Sequence, residues 1–183
     1  MQNKGSQRGS KWNKWDLHVH TPASVEQHYG DAQQQEIWEK YYLDLEALPP
    51  EIKAIGINDY FSLDGYRRIL QAKQNGRLQN IALILPVVEF RFKMFAGNKK
   101  MQRINYHVIF SNELTPDEIE AHFLSKLSIT YNLMGDDKPF TVMGCSRQSL
   151  SQLGQAIIDS TPPDKRSSDS LVRVGFANAL YSE

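Results

Sequence analysis

Hydrophobic and polar positions along the chain follow two periods, one typical of strands and one typical of helices. The segment WDLHVH alternates, so Leu17 and Val19 face one side of a predicted strand while His18 and His20 face the other. Elsewhere apolar residues recur at three- and four-residue spacing, which predicts amphipathic helices. Together the two patterns predict strands at 15–20, 54–58, 81–88 and 104–110, and helices at 36–48, 64–75, 115–127, 146–158 and 171–180.

Strands that alternate with helices indicate an α/β fold built from parallel β/α units. In such folds the chemistry collects at the carboxyl ends of the strands. We expect one domain over residues 12–183, preceded by a flexible basic tail at 1–11. The predicted strands carry polar residues at or near their ends, namely His18, His20, Asp59, Glu89 and His107.

Composition narrows the function classes only slightly. The 183 residues include 21 Lys and Arg against 21 Asp and Glu, so net charge points to no class of partner. The single cysteine, Cys145, excludes an internal disulfide and a cysteine-based zinc knuckle. No apolar run approaches the roughly 20 residues of a membrane span, and the start of the chain lacks the apolar core of a signal peptide. We therefore expect a cytoplasmic protein with no membrane partner.

Histidine and carboxylate side chains are the main candidates for a metal site. His18 and His20 stand side by side on one strand face, and Glu89 follows the apolar segment IALILPVV. A buried carboxylate needs a cation or hydrogen-bond donors to offset its desolvation. With His107, this set suits zinc, manganese or iron better than calcium. The alternatives are structural histidines at 18 and 20, an ion pair of Glu89 with Arg91 or a nearby lysine, and a core histidine at 107.

Asp59 and a basic segment are candidates for roles beside the metal ligands. Asp59 either orients a metal ligand through a hydrogen bond or caps the helix that begins near Asp64. The segment RFKMFAGNKKMQR is basic and interleaved with aromatic residues, which favours a phosphate-bearing substrate or a single-stranded nucleic acid. The alternative is a solvated hairpin tip. The candidate substrate-binding residues in it are Arg91, Lys99, Lys100 and Arg103.

Four segments together resemble a known superfamily. DLHVHTPAS resembles the first motif of the polymerase-and-histidinol-phosphatase (PHP) superfamily of metal-dependent phosphoesterases. IGINDYFSLDGY, LILPVVEFRF and INYHVIFSNEL resemble its next segments. The first two motifs are most similar to the N-terminal PHP domain of TrlF-like proteins, in which an AAA/SMC-type ATPase region follows. The resemblance covers roughly residues 9–125.

The resemblance implies a distorted, TIM-like barrel of β/α units with two or three divalent metal ions, zinc or manganese, at the strand ends. His18 and His20 match the first ligand pair, Glu89 the bridging carboxylate and His107 a later histidine ligand. His28 is a weaker match to a histidine that follows the first motif. Where the family reads Thr-Asp-His, this chain has Tyr60 in place of the ligating histidine, and no histidine follows His122. The resemblance thus implies an incomplete barrel from the N-terminal part of a longer protein.

Two functions remain open from the sequence. The first is a phosphoester hydrolase acting on or near nucleic acid, with Asp59 and Tyr60 as catalytic candidates beside the metal ligands. The second is a non-catalytic module with a degenerate site that positions nucleic acid or a partner for an ATPase region of the same protein. The chain has no G-x-x-x-x-G-K-[ST] motif, so we expect no nucleotide site of that type within it.

Overall fold

The computed structural model describes residues 12–98, 100, 102–133 and 139–180. The predicted tail at 1–11 and the candidate Lys99 lie outside the described residues. The elements follow in the order β1 (Lys14–Val19), α1 (Gln35–Glu46), β2 (Ile52–Tyr60), α2 (Asp64–Gln74), β3 (Leu83–Ala96), β4 (Gln102–Ile109), α3 (Pro116–His122), β5 (Ser128–Tyr131), β6 (Phe140–Met143), α4 (Arg147–Ser160) and α5 (Leu171–Asn178).

A curled, half-barrel sheet in the order β1-β2-β3-β4 positions the candidate site. β1, β2 and β3 run parallel, as the alternation of strands and helices predicts. β4 runs antiparallel to β3, so the expectation of parallel units throughout is wrong at this strand. Only residues 97–101 connect the two strands, whereas a parallel crossover needs a dozen residues or more. Gly97, with a φ of +129°, allows the chain to reverse there.

The core lies between the sheet and the helices that follow its first two strands. β2 is buried over most of its length, which explains why AIGIN shows no polar alternation. Ile55 and Ile57 are almost fully buried, and α2 covers the core with Tyr66 and Ile69. Helix α1 adds Trp38, Tyr41, Tyr42 and Leu45.

Several predicted element boundaries shift in the structure. β2 continues to Tyr60 and β3 to Ala96, so Asp59, Tyr60 and Glu89 lie within strands rather than after them. Helix α3 begins with a capping box formed by Thr115 and Glu118, but it ends at His122, before the predicted end at 127, and a short 3-10 helix follows at Leu124–Lys126. The short β5–β6 hairpin was not predicted, since four-residue strands give little periodic signal.

Helices α4 and α5 pack unusually close to each other through two glycines. A Cβ atom on Gly154 would overlap the carbonyl group of Leu171, and one on Gly175 would overlap that of Leu150. Helix α5 thereby brings Phe176 against Tyr60, with ring centroids 4.9 Å apart. Helix α5 is thus part of the wall around the candidate site.

Candidate metal centre

One face of the sheet, here named the site face, carries the polar side chains of three adjacent strands. Asn58 and Tyr60 share this face of β2 because residues two apart in a strand point the same way. Tyr60 pairs with Glu89 on β3, and Glu89 in turn lies directly opposite His107 on β4. The backbone register therefore brings these residues together.

Three imidazoles surround the Glu89 carboxylate. The Nε2 atoms of His18 and His20 lie 3.6 Å and 3.4 Å from Glu89 Oε2, and His107 Nε2 lies 3.5 Å from Oε1. The two β1-side imidazoles are also close, with 3.2 Å between the Nε2 atoms of His18 and His20. The sequence-predicted ligands thus meet at one place, while His28 is exposed in the loop after β1.

Two asparagines hold the buried carboxylate. Glu89 is 1% exposed, and Asn58 Nδ2 donates to its Oε2 at 2.9 Å while Asn105 Nδ2 donates to its Oε1 at 2.5 Å. Each oxygen thus receives one amide hydrogen bond and faces at least one imidazole. Arg91, the ion-pair partner considered from the sequence, instead lies over the Phe176 ring at 3.8 Å.

Neither asparagine was predicted as a functional residue. Both occur at alternate positions to predicted site residues, Asn58 two before Tyr60 and Asn105 two before His107. That spacing is the signal which could have placed them on the site face. This spacing identifies Asn58 and Asn105 as site residues only when the register of the strands is known.

The spacing of donor atoms fits a metal ion. Two ligands of a tetrahedral zinc ion, each about 2.1 Å from it, lie about 3.4 Å apart, close to the separations observed here. One ligand atom from each of His18, Glu89 and His107 lies within 4.8 Å of the other two, so these three residues could hold an ion. The geometry does not select among divalent metals.

The charge state of His20 suits the same role. Burial lowers the pKa of His20, and the neighbouring His18 and His107 lower it further, while Glu89 opposes the shift. A neutral imidazole can ligate a metal through an unprotonated nitrogen. His20 lies outside the three-residue set above, but its Nε2 atom faces the same carboxylate oxygen as that of His18.

Tyr60 lies beside the cluster. Its ring stacks on that of His20, with centroids 5.2 Å apart and planes inclined by 19°. Its hydroxyl accepts a hydrogen bond of 3.2 Å from Asn105 Nδ2. Burial raises the pKa of the Tyr60 phenol, and the charge of Glu89 raises it further, so the hydroxyl keeps its proton at neutral pH.

Asp59 points to the other side of β2. Its carboxylate accepts hydrogen bonds from the backbone N–H of Thr21 at 2.8 Å and from Thr21 Oγ1 at 2.6 Å. The helix-capping alternative for Asp59 is wrong, because Leu63 occupies the N-cap position of α2 and no side chain caps that helix. Asp59 fixes the residue that follows His20 rather than joining the cluster. Its catalytic role stays a prediction.

The candidate substrate-binding arginines have partners on α5. Arg103 donates to the Ala177 carbonyl at 2.9 Å, and Arg91 lies over Phe176 and, at 5.2 Å, over Tyr60. Lys100 is exposed at the hairpin tip. The basic hairpin is therefore in part a packing surface for α5.

Comparison of the chain with protein-family models, curated proteins and solved structures gave no match. The fold and site define a mixed α/β domain with a histidine–carboxylate cluster that could hold a metal ion. Among the described residues, no helix combines the length and the apolar character needed to cross a bilayer.

Proposed function

We propose that this chain is a PHP-type, metal-dependent phosphoesterase domain that acts on or near nucleic acid in the cytoplasm as part of a larger ATPase protein. The observation that carries the proposal is the buried Glu89 carboxylate with the Nε2 atoms of His18, His20 and His107 at 3.4–3.6 Å. The resemblance of the sequence motifs to PHP domains supports the reaction class.

Each residue of the cluster has a distinct task in this proposal. His18, His107 and Glu89 bind the metal, and His20 adds a fourth donor on the β1 side. A divalent ion at this position supplies Lewis-acid activation of water and of the phosphoryl group. Tyr60, which is protonated at neutral pH, donates a hydrogen bond to a phosphate oxygen.

The basic hairpin attracts the substrate. Lys100 is exposed, and Arg103 belongs to the strand pair that also carries Glu89 and His107. In the sequence, Lys99 adds a further positive charge next to Lys100. Positive charge on the surface of a domain raises the local concentration of an anionic substrate around it. A phosphodiester in single-stranded nucleic acid is the substrate class that fits both the charge and the aromatic residues nearby.

Metal content and hydrolysis test the proposal together. Purified protein is incubated with zinc or manganese, passed through a desalting column and analysed for metal, and hydrolysis of bis-p-nitrophenyl phosphate and of a single-stranded oligonucleotide is followed. Wild-type protein should retain at least one equivalent of metal and hydrolyse the diester. The double variant His18→Ala/His107→Ala should lose both properties, whereas His122→Ala, at an exposed histidine outside the cluster, should keep them. Wild-type protein that retains no metal would contradict the proposal.

A second candidate function is a non-catalytic module, and Tyr60 is the observation that favours it. Tyr60 occupies the position of a ligating histidine in the resembled motif, and its ring stacks on His20 instead of offering an imidazole nitrogen. Under this alternative the chain binds metal but does not hydrolyse phosphoesters. Tyr60→His should then raise the metal content, and robust hydrolysis by the wild-type chain would exclude the alternative.

A further inference from the structure

A cavity of about 640 Å³ is lined in part by Ser24, whose hydroxyl contacts His20. Its wall consists of the loop at 22–33, the start of α4 and the start of α5, together with residues of α1 and α2. Three arginines from three different helices line it, Arg68, Arg147 and Arg173. We name it the arginine cavity.

The arginines are oriented by neighbours and keep free donors. Arg147 donates Nε to Asp64 at 3.3 Å and Nη2 to the Ala23 carbonyl, and Arg173 donates Nη2 to Glu26 at 3.3 Å. A guanidinium has five N–H donors, so these bonds to described residues use two on Arg147 and one on Arg173. The two side chains are also 43% and 55% exposed, which leaves them accessible to a ligand.

Arg68, the third arginine of the cavity, is held more firmly by its neighbours than Arg147 and Arg173. Its guanidinium lies over the ring of the buried Trp38 at 4.3 Å, and it also donates to the side chain of Gln35. Stacking on an aromatic face holds the planar group in one orientation. Asp31 and Asp64 are the acidic residues of the lining, and Glu26 contacts Arg173 from outside it, so three arginines face three carboxylates. The cavity therefore attracts an anion through the free guanidinium N–H donors rather than through an excess of charge.

Ser24 connects the cavity to the candidate metal centre. Ser24 is one of the residues that line the cavity, and its Oγ lies 3.4 Å from Nδ1 of His20. The other nitrogen of the same ring faces Glu89. A ligand in the cavity would therefore lie one side chain away from the cluster.

We propose that the arginine cavity binds a phosphate group of a nucleic-acid strand, next to the phosphodiester that the metal centre attacks. Guanidinium groups bind phosphate oxygens through paired N–H donors, and the volume is in the range of small-ligand sites. The position beside His20 links this phosphate to the reaction centre. The identity of the ligand rests on the proposed function, whereas the presence of an anion site does not.

The test uses the full chain after metal has been removed with EDTA, so that it is independent of catalysis. Binding of a fluorescein-labelled, single-stranded thymidine hexanucleotide is measured by fluorescence anisotropy at several salt concentrations. Arg147→Gln/Arg173→Gln should weaken binding at least tenfold and lower the salt slope by about 0.7, because one phosphate of the single strand is no longer neutralised. Arg67→Gln is the matched control, since this neighbouring α2 arginine pairs with Asp117 and Glu120 away from the cavity.

The outcomes separate the two proposals. The single variant Arg173→Gln breaks only a surface contact to Glu26, and it should weaken binding about threefold. It replaces the double variant in the test if the double variant does not fold. Oligonucleotide binding that the arginine variants leave unchanged, or its absence in wild-type protein, would overturn the cavity assignment. Competition by thymidine monophosphate as strong as that by unlabelled hexanucleotide would overturn the assignment to a strand. If the metal proposal fails and the cavity assignment holds, the wild-type chain will retain no metal in the metal assay but will still bind the hexanucleotide here.

Discussion

At the scale of single residues, the carboxylate of Glu89 is the centre of the arrangement. It is buried at the junction of three strands and receives amide hydrogen bonds from Asn58 and Asn105. These bonds offset the loss of water around the charge and fix the plane of the carboxylate. Its ability to bind metal therefore depends on side chains that are not themselves metal ligands.

Replacing Asn105 should weaken metal binding without removing a ligand. In Asn105→Leu, Glu89 Oε1 loses its short hydrogen bond and the carboxylate can rotate, so we expect metal affinity to fall about 10- to 100-fold. Competition with a chromogenic chelator measures the change. Asn98→Leu, at an exposed position on the same hairpin, should bind metal as the wild type does. Equal affinities of wild type and Asn105→Leu would show that Asn105 does not position the carboxylate.

Asp59 should make stability depend on pH. Burial raises its pKa from an ordinary 3.8 to about 7, against the hydrogen bonds from Thr21. The folded state thus holds a proton that the unfolded state has already released between these pH values. Asp59 therefore contributes full stability below pH 4, and this contribution, up to about 4 kcal/mol, falls as pH rises through 7.

Chemical denaturation at pH 5 and pH 8 checks this for wild type and Asp59→Asn. The variant cannot ionise, and its side-chain oxygen can still accept the Thr21 N–H. The free energy of unfolding of Asp59→Asn, relative to that of the wild type, should therefore be higher at pH 8 than at pH 5. A difference between the two proteins that is the same at both pH values would contradict the assignment.

At the scale of elements, the β3–β4 hairpin shows what the sequence can and cannot predict. His18, His20, Glu89 and His107 are recognisable because each belongs to a strand-like segment with an alternating or apolar pattern. The direction of β4 cannot be predicted from the sequence, because residues 91–103 are rich in charged residues and resemble a loop. The sequence groups Asp59 with the site because the predicted strand ends at Asn58. The strand continues to Tyr60, so alternation turns Asp59 to the opposite face.

The close packing of α4 on α5 should be sensitive to a single methyl group. In Gly175→Ala the new Cβ would overlap the Leu150 carbonyl, which is backbone and cannot move aside easily. We expect a loss of about 1–3 kcal/mol in the free energy of unfolding, measured in urea. Gln155→Ala, on the exposed side of α4, should stay within about 0.5 kcal/mol of wild type. Full stability of Gly175→Ala would contradict the packing described.

At the scale of the whole molecule, the cluster joins distant parts of the chain. His18 belongs to β1, while Glu89 and His107 belong to β3 and β4, so the ligand atoms converge only when the sheet is assembled. The site remains reachable, since the side chain of His18 is 52% exposed and that of His107 is 32% exposed. A metal should therefore bind the folded chain in preference to the unfolded chain.

Metal should accordingly raise the melting temperature. At a free concentration 100 times the dissociation constant, a ligand that binds only the folded state adds about 2.7 kcal/mol to the free energy of unfolding. Differential scanning fluorimetry should show an upward shift with zinc or manganese that EDTA reverses. The same scan of His18→Ala/His107→Ala should show no shift. An equal rise in that variant would mean that the ions bind elsewhere.

The irregular pairing in the β3–β4 hairpin has a consequence for how the chain could vary. Arg91 pairs with Asn105 and Phe95 with Arg103, so three residues of β3 oppose one residue of β4 between these pairs. Such a bulge lets the outer part of the hairpin bend and lengthen while the register of Glu89 and His107 stays fixed. Peptides of different length and charge grafted near Gly97 should therefore leave the geometry of Glu89 and His107 intact.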